Sequence, residues 1–270
     1  MIKPILFKLL GKKGYKMAQF YAKKRDIDNR LVEEIEMELL PALLKSGDEA
    51  LDIGANYAYY TERLSRLVPD GHVYAFEPIP FTYSVAGMLV KRYKLENVDL
   101  YQKGVGEKTA VIRFSVPKLD FGSLSAGQAH MSGRDNKMIK GSDYFVSDKN
   151  EEFDCEVIDI DSFLLPTLKN LTFIKIDIEG AEYFALKGME KTLQRFKPAI
   201  LIEIVPLFLK SFSIELPFFQ QYLEKTLGYK IFEYQPAEKN LKATNGMISK
   251  DRNYILLHES KLAEYNNLIA

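Results

Sequence analysis

From Glu49 onward, short apolar runs alternate with longer stretches whose apolar positions recur every three or four residues. The short runs predict strands near 50–53, at 72–77 and 98–103, from Leu171 to Asp177 and from Pro198 to Ile204. The periodic stretches predict helices over about 57–67, 80–94 and from Asp177 to near Gln194. Such alternation predicts a parallel sheet with helices on both faces. The rhythm breaks once. Residues 109–116 and 153–160 read as a strand pair enclosing a Gly-, Ser-, Asp- and Lys-rich insertion over 117–152, either a mobile lid, the reading favoured here, or a disordered tip. Segments 228–234 and 253–258 predict a closing pair of strands, and residues 29–46 a helix ahead of the first strand, with Asn29 as its cap.

The chain has 270 residues, 47% of them apolar and 12% aromatic, ample for a folded core. Lys and Arg balance Asp and Glu at 37 each, so no global field recruits nucleic acid. The balance is uneven along the chain. Residues 1–25 hold eight basic side chains and no acid, with Ile2, Ile5, Leu6, Leu9 and Leu10 at helical spacing. Two readings stay open for this start: a helix docked on the domain with a solvated basic face, or an interfacial helix on an anionic membrane. No apolar run reaches the ~20 residues that span a bilayer, and no export signal is recognised, so a cytoplasmic protein, peripheral to the inner face of the membrane in the second reading, is expected. A single cysteine, Cys155, fits a reducing compartment and an ordinary half-buried strand position.

The junction at 50–61, ALDIGANYAYYT, carries the first chemical signal. Gly54 lets the backbone turn sharply where a strand opens into a crevice and the next helix presents free N–H groups. A plain strand-to-helix turn explains the same residues. A second acid, Glu77, follows Asp52 by 25 residues, close to the ~20 expected for a carboxylate on ribose hydroxyls. The G-x-G-x-x-G fingerprint is absent, since Asn56 and Tyr59 replace its second and third glycines. A pyrophosphate then has poor access, which favours S-adenosylmethionine over a nicotinamide dinucleotide. Gly104 at the third strand end leaves room for a planar base, or simply turns the chain.

Asp52, Glu77, Asp177 and Glu203 each fall at the carboxyl end of a different predicted strand, so a doubly wound sheet gathers them along one edge. Buried acids need a ligand or a partner. A sulfonium, an ammonium group and ribose hydroxyls all suit them, while pairing with Lys175, two residues away on one strand face, is the alternative for Asp177. A hydroxyl acceptor requires either a general base, from Asp177, Glu179, Glu182, Glu203 or His130, or a Mg²⁺ ion on Asp177 and Glu203. Phe208, Phe212, Phe218, Phe219 and Tyr222 could offer a stacking face for a sugar or lipid-like acceptor, while helical core packing is expected for most of them.

The segments LDIGANYAYYT, VYAFEPIPFTY, NVDLYQKGVGEK, VIDIDSFL and TFIKIDIEGAEYFALKGMEKTLQRFKPAILIEI, spanning roughly 48–205, resemble the FkbM family of S-adenosylmethionine-dependent methyltransferases. The resemblance implies a Rossmann-like class I methyltransferase fold over 47–270, with a mostly parallel seven-stranded sheet, behind an N-terminal helical extension over 1–46. It implies methyl transfer to a hydroxyl of a sugar, glycolipid, polysaccharide or secondary metabolite. By matching positions it places Asp52, Gly54 and Asn56 on the methionine side, Glu77 at the ribose, Gly104 and Val105 at the adenine, and Asp177 at the substrate end. Tyr60, Thr61 and Pro78 are expected beside them. Tyr57 and Ala58 depart from the family's more glycine-rich turn. A nicotinamide-dependent oxidoreductase and a non-catalytic cofactor-binding or membrane-recruited scaffold are the competing classes.

Overall fold

The computed structural model describes residues 2–118, 129–135, 139, 149–244, 248 and 250–270. In chain order the strands are β1 (Glu49–Ile53), β2 (His72–Phe76), β3 (Val98–Tyr101), β4 (Gly104–Val105), β5 (Ala110–Pro117) and β6 (His130–Met131). They continue as β7 (Asn150–Ile158), β8 (Leu171–Ile176), β9 (Ala199–Ile204), β10 (Tyr229–Gln235), β11 (Asn240–Ala243) and β12 (Arg252–His258). The main sheet has the order β11-β10-β12-β9-β8-β1-β2-β3. Its half from β3 to β9 is parallel, and β12, β10 and β11 complete it antiparallel.

Eight strands therefore stand where the family resemblance implied seven. The addition is β11, an edge strand whose pattern, NLKA, is too polar to announce itself. The expected strand pair is β5 and β7, but it belongs to a separate four-stranded sheet of order β4-β7-β5-β6. That second sheet stands at the carboxyl end of the parallel strands, because β4 leaves the β3 line after only two residues and pairs with β7.

Central position explains why the parallel strands read so clearly. β1 is buried along its whole length, and β8 and β9 nearly so, as parallel strands covered on both faces must be. One face packs Ile53, Ile174, Ile202, Leu186 and Leu209 into the larger core; the other packs Ala50, Phe173, Leu201 and Leu64. Phe208, Phe219 and Tyr222 are core residues, and only Phe218 of that aromatic set is exposed.

Two expected helices differ. Over 29–46 the chain turns at Arg30 (φ 52°) and then forms a 3₁₀ turn, Ile35–Glu38, and one short helix, Leu40–Leu43, with Pro41 in its first turn. Pro lacks the N–H that a helix continuing through this point would need. The long helix lies earlier, at Ile2–Asp28. The helix expected to end near Gln194 is two, Glu182–Lys187 and Glu190–Phe196, parted at Gly188. A Cβ there would lie 1.9 Å from the Gly106 carbonyl oxygen, so close contact with the second sheet fixes the break.

Gly54 (φ 87°) ends β1 against β8: a Cβ would meet the Asp177 carbonyl oxygen at 1.9 Å. The two strand ends are also tied by Asp177 N–H donating to the Ile53 carbonyl at 3.0 Å. Gly54→Ala must therefore separate them while adopting an unfavourable φ, and we expect a loss of at least ~2 kcal/mol in urea unfolding. A loss below ~0.5 kcal/mol would contradict this packing.

Candidate active site

The carboxyl ends of β1, β2, β8 and β9 open into a cleft of about 160 Å³. Gly54, Asn56, Glu77, Asp177, Glu179 and Glu203 line it. A narrower, mostly apolar slot continues beside it between Phe76, Pro78, Gly104, Val105 and Ile178. Of the six acids considered, Glu77, Asp177, Glu179 and Glu203 thus reach one cleft, while Asp52 and Glu182 do not line it. Phe114 belongs to both walls, and Ala129, just before β6, and Met131, within it, line the cleft and the slot respectively.

Glu77 is tied into the loop that follows β1. Its Oε1 accepts from Ile79 N–H and Thr82 Oγ1, and its Oε2 from Asn56 N–H, each at 2.9 Å. Burial raises its pKa to about 7 against these bonds. Three donors leave room on the carboxylate for one hydroxyl. Asn56 itself is left-handed (φ 48°), and its buried Oδ1 has no partner among the described residues. The adjoining helix, Tyr59–Leu67, starts from left-handed Ala58 without a side-chain cap, leaving its first N–H groups open.

Other predicted residues act beneath the cleft. Asp52 is fully buried, accepts a 2.5 Å bond from Thr61 Oγ1, and sits opposite Lys175 across the β1–β8 register. Burial raises its pKa against the pull of Lys175. Tyr60 turns its hydroxyl to Glu34 at 2.7 Å. Pro78, Gly104 and Val105 are on the slot wall as expected from their positions. His130 is not in an exposed loop but buried in β6, paired with Ser115. Its neighbours Ala129 and Met131 line the cleft, so strand alternation turns the imidazole to the other side. The rest of the predicted lid lies outside the described residues.

At the far end Lys175 Nζ donates to Asp177 Oδ2 at 2.7 Å and stands 4.8 Å from the Tyr60 ring centroid. Burial opposes the Asp177 charge, but the Lys175 ammonium overcomes it and holds the pKa below the usual range. Glu203 shares a hydrogen bond with Asp177, and burial together with that neighbouring charge raises it to about 9. Glu179, left-handed at φ 59°, is raised by burial and by Asp177 to about 8. Arg134 approaches it at 3.8 Å and lies over Phe208. Glu182 folds back onto the turn, accepting from Ile178 and Gly180 N–H at 3.1 Å each, and burial raises it to about 7.

This donor set does not fit the expected Mg²⁺ site. The Lys175 ammonium, 2.7 Å from Asp177 Oδ2, already occupies an oxygen that a hard cation would need. Among the described residues no three His, Cys, Asp or Glu side chains converge on a metal position. Arg134 and Phe114 escaped the sequence reading because they come from the second sheet and its insertion, where no periodic or motif signal marks them.

A doubly wound sheet with a glycine turn after β1, an acid after β2 and an apolar slot at β4 defines a class I methyltransferase-type fold. The chain belongs to the FkbM methyltransferase family, whose domain, described as Methyltransferase FkbM domain, matches residues 52–235. It is similar to Methyltransferase 1 of Beauveria bassiana, 26% identical over 148 residues, covering 52% of this chain and 57% of that protein. The crystal structure of methyltransferase FkbM from Methylobacillus flagellatus KT shares the fold at TM-score 0.50 and 17% identity, over 91% of this chain and 53% of that one. A methyltransferase structure from Streptococcus mutans in complex with SAH aligns at TM-score 0.46 and 13% identity, over 83% and 95% of the two chains. The chain thus spans a little over half the length of the first two relatives.

Carboxyls with raised pKa bind protons in the folded state that the unfolded chain has released, so their contribution is fully present below the unfolded value near 4.5 and lost as pH passes the folded values. For Glu77, Glu182, Glu179 and Glu203 those values run from about 7 to about 9. The Tm of the ligand-free protein is expected to fall between pH 5 and pH 9, and to fall less in Glu203→Gln. A Tm that rises over this window would refute the carboxyl cluster's protonation.

Proposed function

We propose that this protein is an S-adenosylmethionine-dependent O-methyltransferase acting on a hydroxyl of a sugar, glycolipid, polysaccharide or secondary-metabolite acceptor. The observation that carries the reading is the pairing of an apolar slot at Gly104 and Val105 with an acid-lined cleft floored by Gly54. An adenine suits the slot, and Glu77 has one position left for a ribose hydroxyl. The unpartnered Asn56 Oδ1 suits an ammonium group, and the uncapped helix start at Tyr59 suits a carboxylate. These groups would hold the cofactor, which supplies an electrophilic methyl group.

The chain's own contribution is position and proton transfer. Aligning an acceptor hydroxyl for in-line attack supplies several kcal/mol by orientation alone. Asp177 is committed to Lys175 and Glu203, and His130 faces away, which leaves Glu179 as the group best suited to receive the hydroxyl proton. Its pKa of about 8 is matched to that task better than an ordinary carboxylate. Arg134, 3.8 Å away, steadies the carboxylate once ionised.

Calorimetry separates the classes before an acceptor is known. S-adenosylhomocysteine is expected to bind at micromolar Kd and to lose about tenfold, ~1.4 kcal/mol, in Glu77→Ala, whereas NAD does not bind. Binding of NAD alone, or of neither ligand, would exclude the reading. Once an acceptor is found, Glu179→Gln is expected to lower kcat by ~10²–10⁴ with the S-adenosylhomocysteine Kd unchanged. An unaltered kcat would remove Glu179 from the proton transfer.

A further inference from the structure

The helix Ile2–Asp28 has two faces with different surroundings from Lys13 onward. Its docked face runs along the helix Pro80–Tyr93: Tyr15 stacks on Phe81 at 5.8 Å, Lys16 Nζ donates to Ser84 at 3.1 Å, and Phe20 is buried with Val85 and Leu89. The same face reaches the cofactor loop, where Lys23 Nζ lies 4.8 Å from the Tyr57 ring and Tyr59 donates to Asp26 at 3.2 Å. To this extent the docked reading of the basic start holds.

The other face is different. Lys13, Met17, Tyr21 and Arg25 follow one another at intervals of four residues, so they form a single stripe, and all four are exposed. Met17 is 39% and Tyr21 62% exposed. An isolated exposed apolar residue needs no explanation. Here two stand side by side between cations, on a helix whose first 25 residues carry eight basic side chains and no acid. At Gly11 (φ 60°, ψ −175°) the backbone leaves helical geometry, so Ile2–Leu10 sets off in a direction of its own. That segment's sequence repeats the pattern, with Lys3 and Lys8 among Ile2, Ile5, Leu6, Leu9 and Leu10.

We propose that the Lys13–Met17–Tyr21–Arg25 stripe and the helical segment before Gly11 bind the surface of an anionic lipid bilayer. Charge selects the partner: a concentrated basic field on a chain of zero net charge is complementary to anionic headgroups, and the interleaved apolar side chains suit the headgroup–acyl boundary. The helix lies on the membrane. None of the described helices is long and apolar enough to cross one. A nucleic acid would satisfy the charges but gives Met17 no apolar environment. Because the opposite face of the same helix holds Tyr57 and Tyr59, the membrane-bound element and the cofactor loop belong to one packed unit.

The test is co-sedimentation of the full chain with vesicles of phosphatidylcholine alone or with about 30% phosphatidylglycerol. Binding is expected to be at least ~tenfold tighter to the anionic vesicles. It should fall by a similar factor in Lys3→Glu/Lys8→Glu/Lys12→Glu/Lys13→Glu and in Met17→Ser/Tyr21→Ser. Unchanged Tm and unchanged S-adenosylhomocysteine affinity would confirm that both variants fold. Equal sedimentation with both compositions, none with either, variants that bind like the parent, or retention only on a structured RNA would each overturn the proposal.

Discussion

The buried Lys175–Asp177 pair is the constraint on which the site depends. Six carboxyls gather where four strands end, and Lys175 is the ammonium placed among them, 2.7 Å from Asp177 and opposite Asp52 in the strand register. One cation cannot keep six acids ionised in a buried setting. The structure divides the work: Asp177 keeps its charge, Glu203 keeps a proton, and Glu77 and Glu182 draw on backbone N–H groups. The result is a crevice with unspent capacity for a positive charge. Strain around it is of the same origin, since Asn56, Ala58 and Glu179 all take left-handed backbone angles in the loops that aim these groups.

What was legible in the sequence follows from how each element is stabilised. The parallel strands announce themselves because burial on both faces demands unbroken apolar runs, and the acids at their ends stand out against those runs. Glu77, Gly54 and Asp177 were found this way. Features set by distant contacts were not legible. The break at Gly188 answers a carbonyl 82 residues earlier, at Gly106, and nothing local in the helix pattern signals it. β6 lies in a segment whose composition resembles loop, so His130 read as a lid residue and a candidate base, whereas it is a buried strand residue paired with Ser115. Arg134, 3.8 Å from Glu179, was missed for the same reason.

The second sheet explains how an otherwise ordinary fold acquires its enclosed slot. β4 abandons the main sheet to pair with β7, and the β5–β7 pair then stands over the strand ends, lending Phe114 to both the slot and the cleft. Its outer side is solvated by ion pairs such as Arg113 with Asp154 and Lys118 with Glu151, which contribute little individually. Stability in that region comes from the inner side, where Val116, Val157 and Cys155 pack against Ile79 and Ala181. The lone cysteine is thus a packing residue, its thiol directed at the Pro78 carbonyl.

Proton release on cofactor binding measures the central claim, that the cleft is a carboxyl cluster with capacity for a cation. Calorimetry in two buffers of different ionisation enthalpy at pH 7.5 reads it directly. A sulfonium entering beside Glu179 and Glu203 lowers both pKa values, so S-adenosylmethionine should release more protons on binding than neutral S-adenosylhomocysteine. Equal release by the two ligands, or proton uptake with S-adenosylmethionine, would contradict the account.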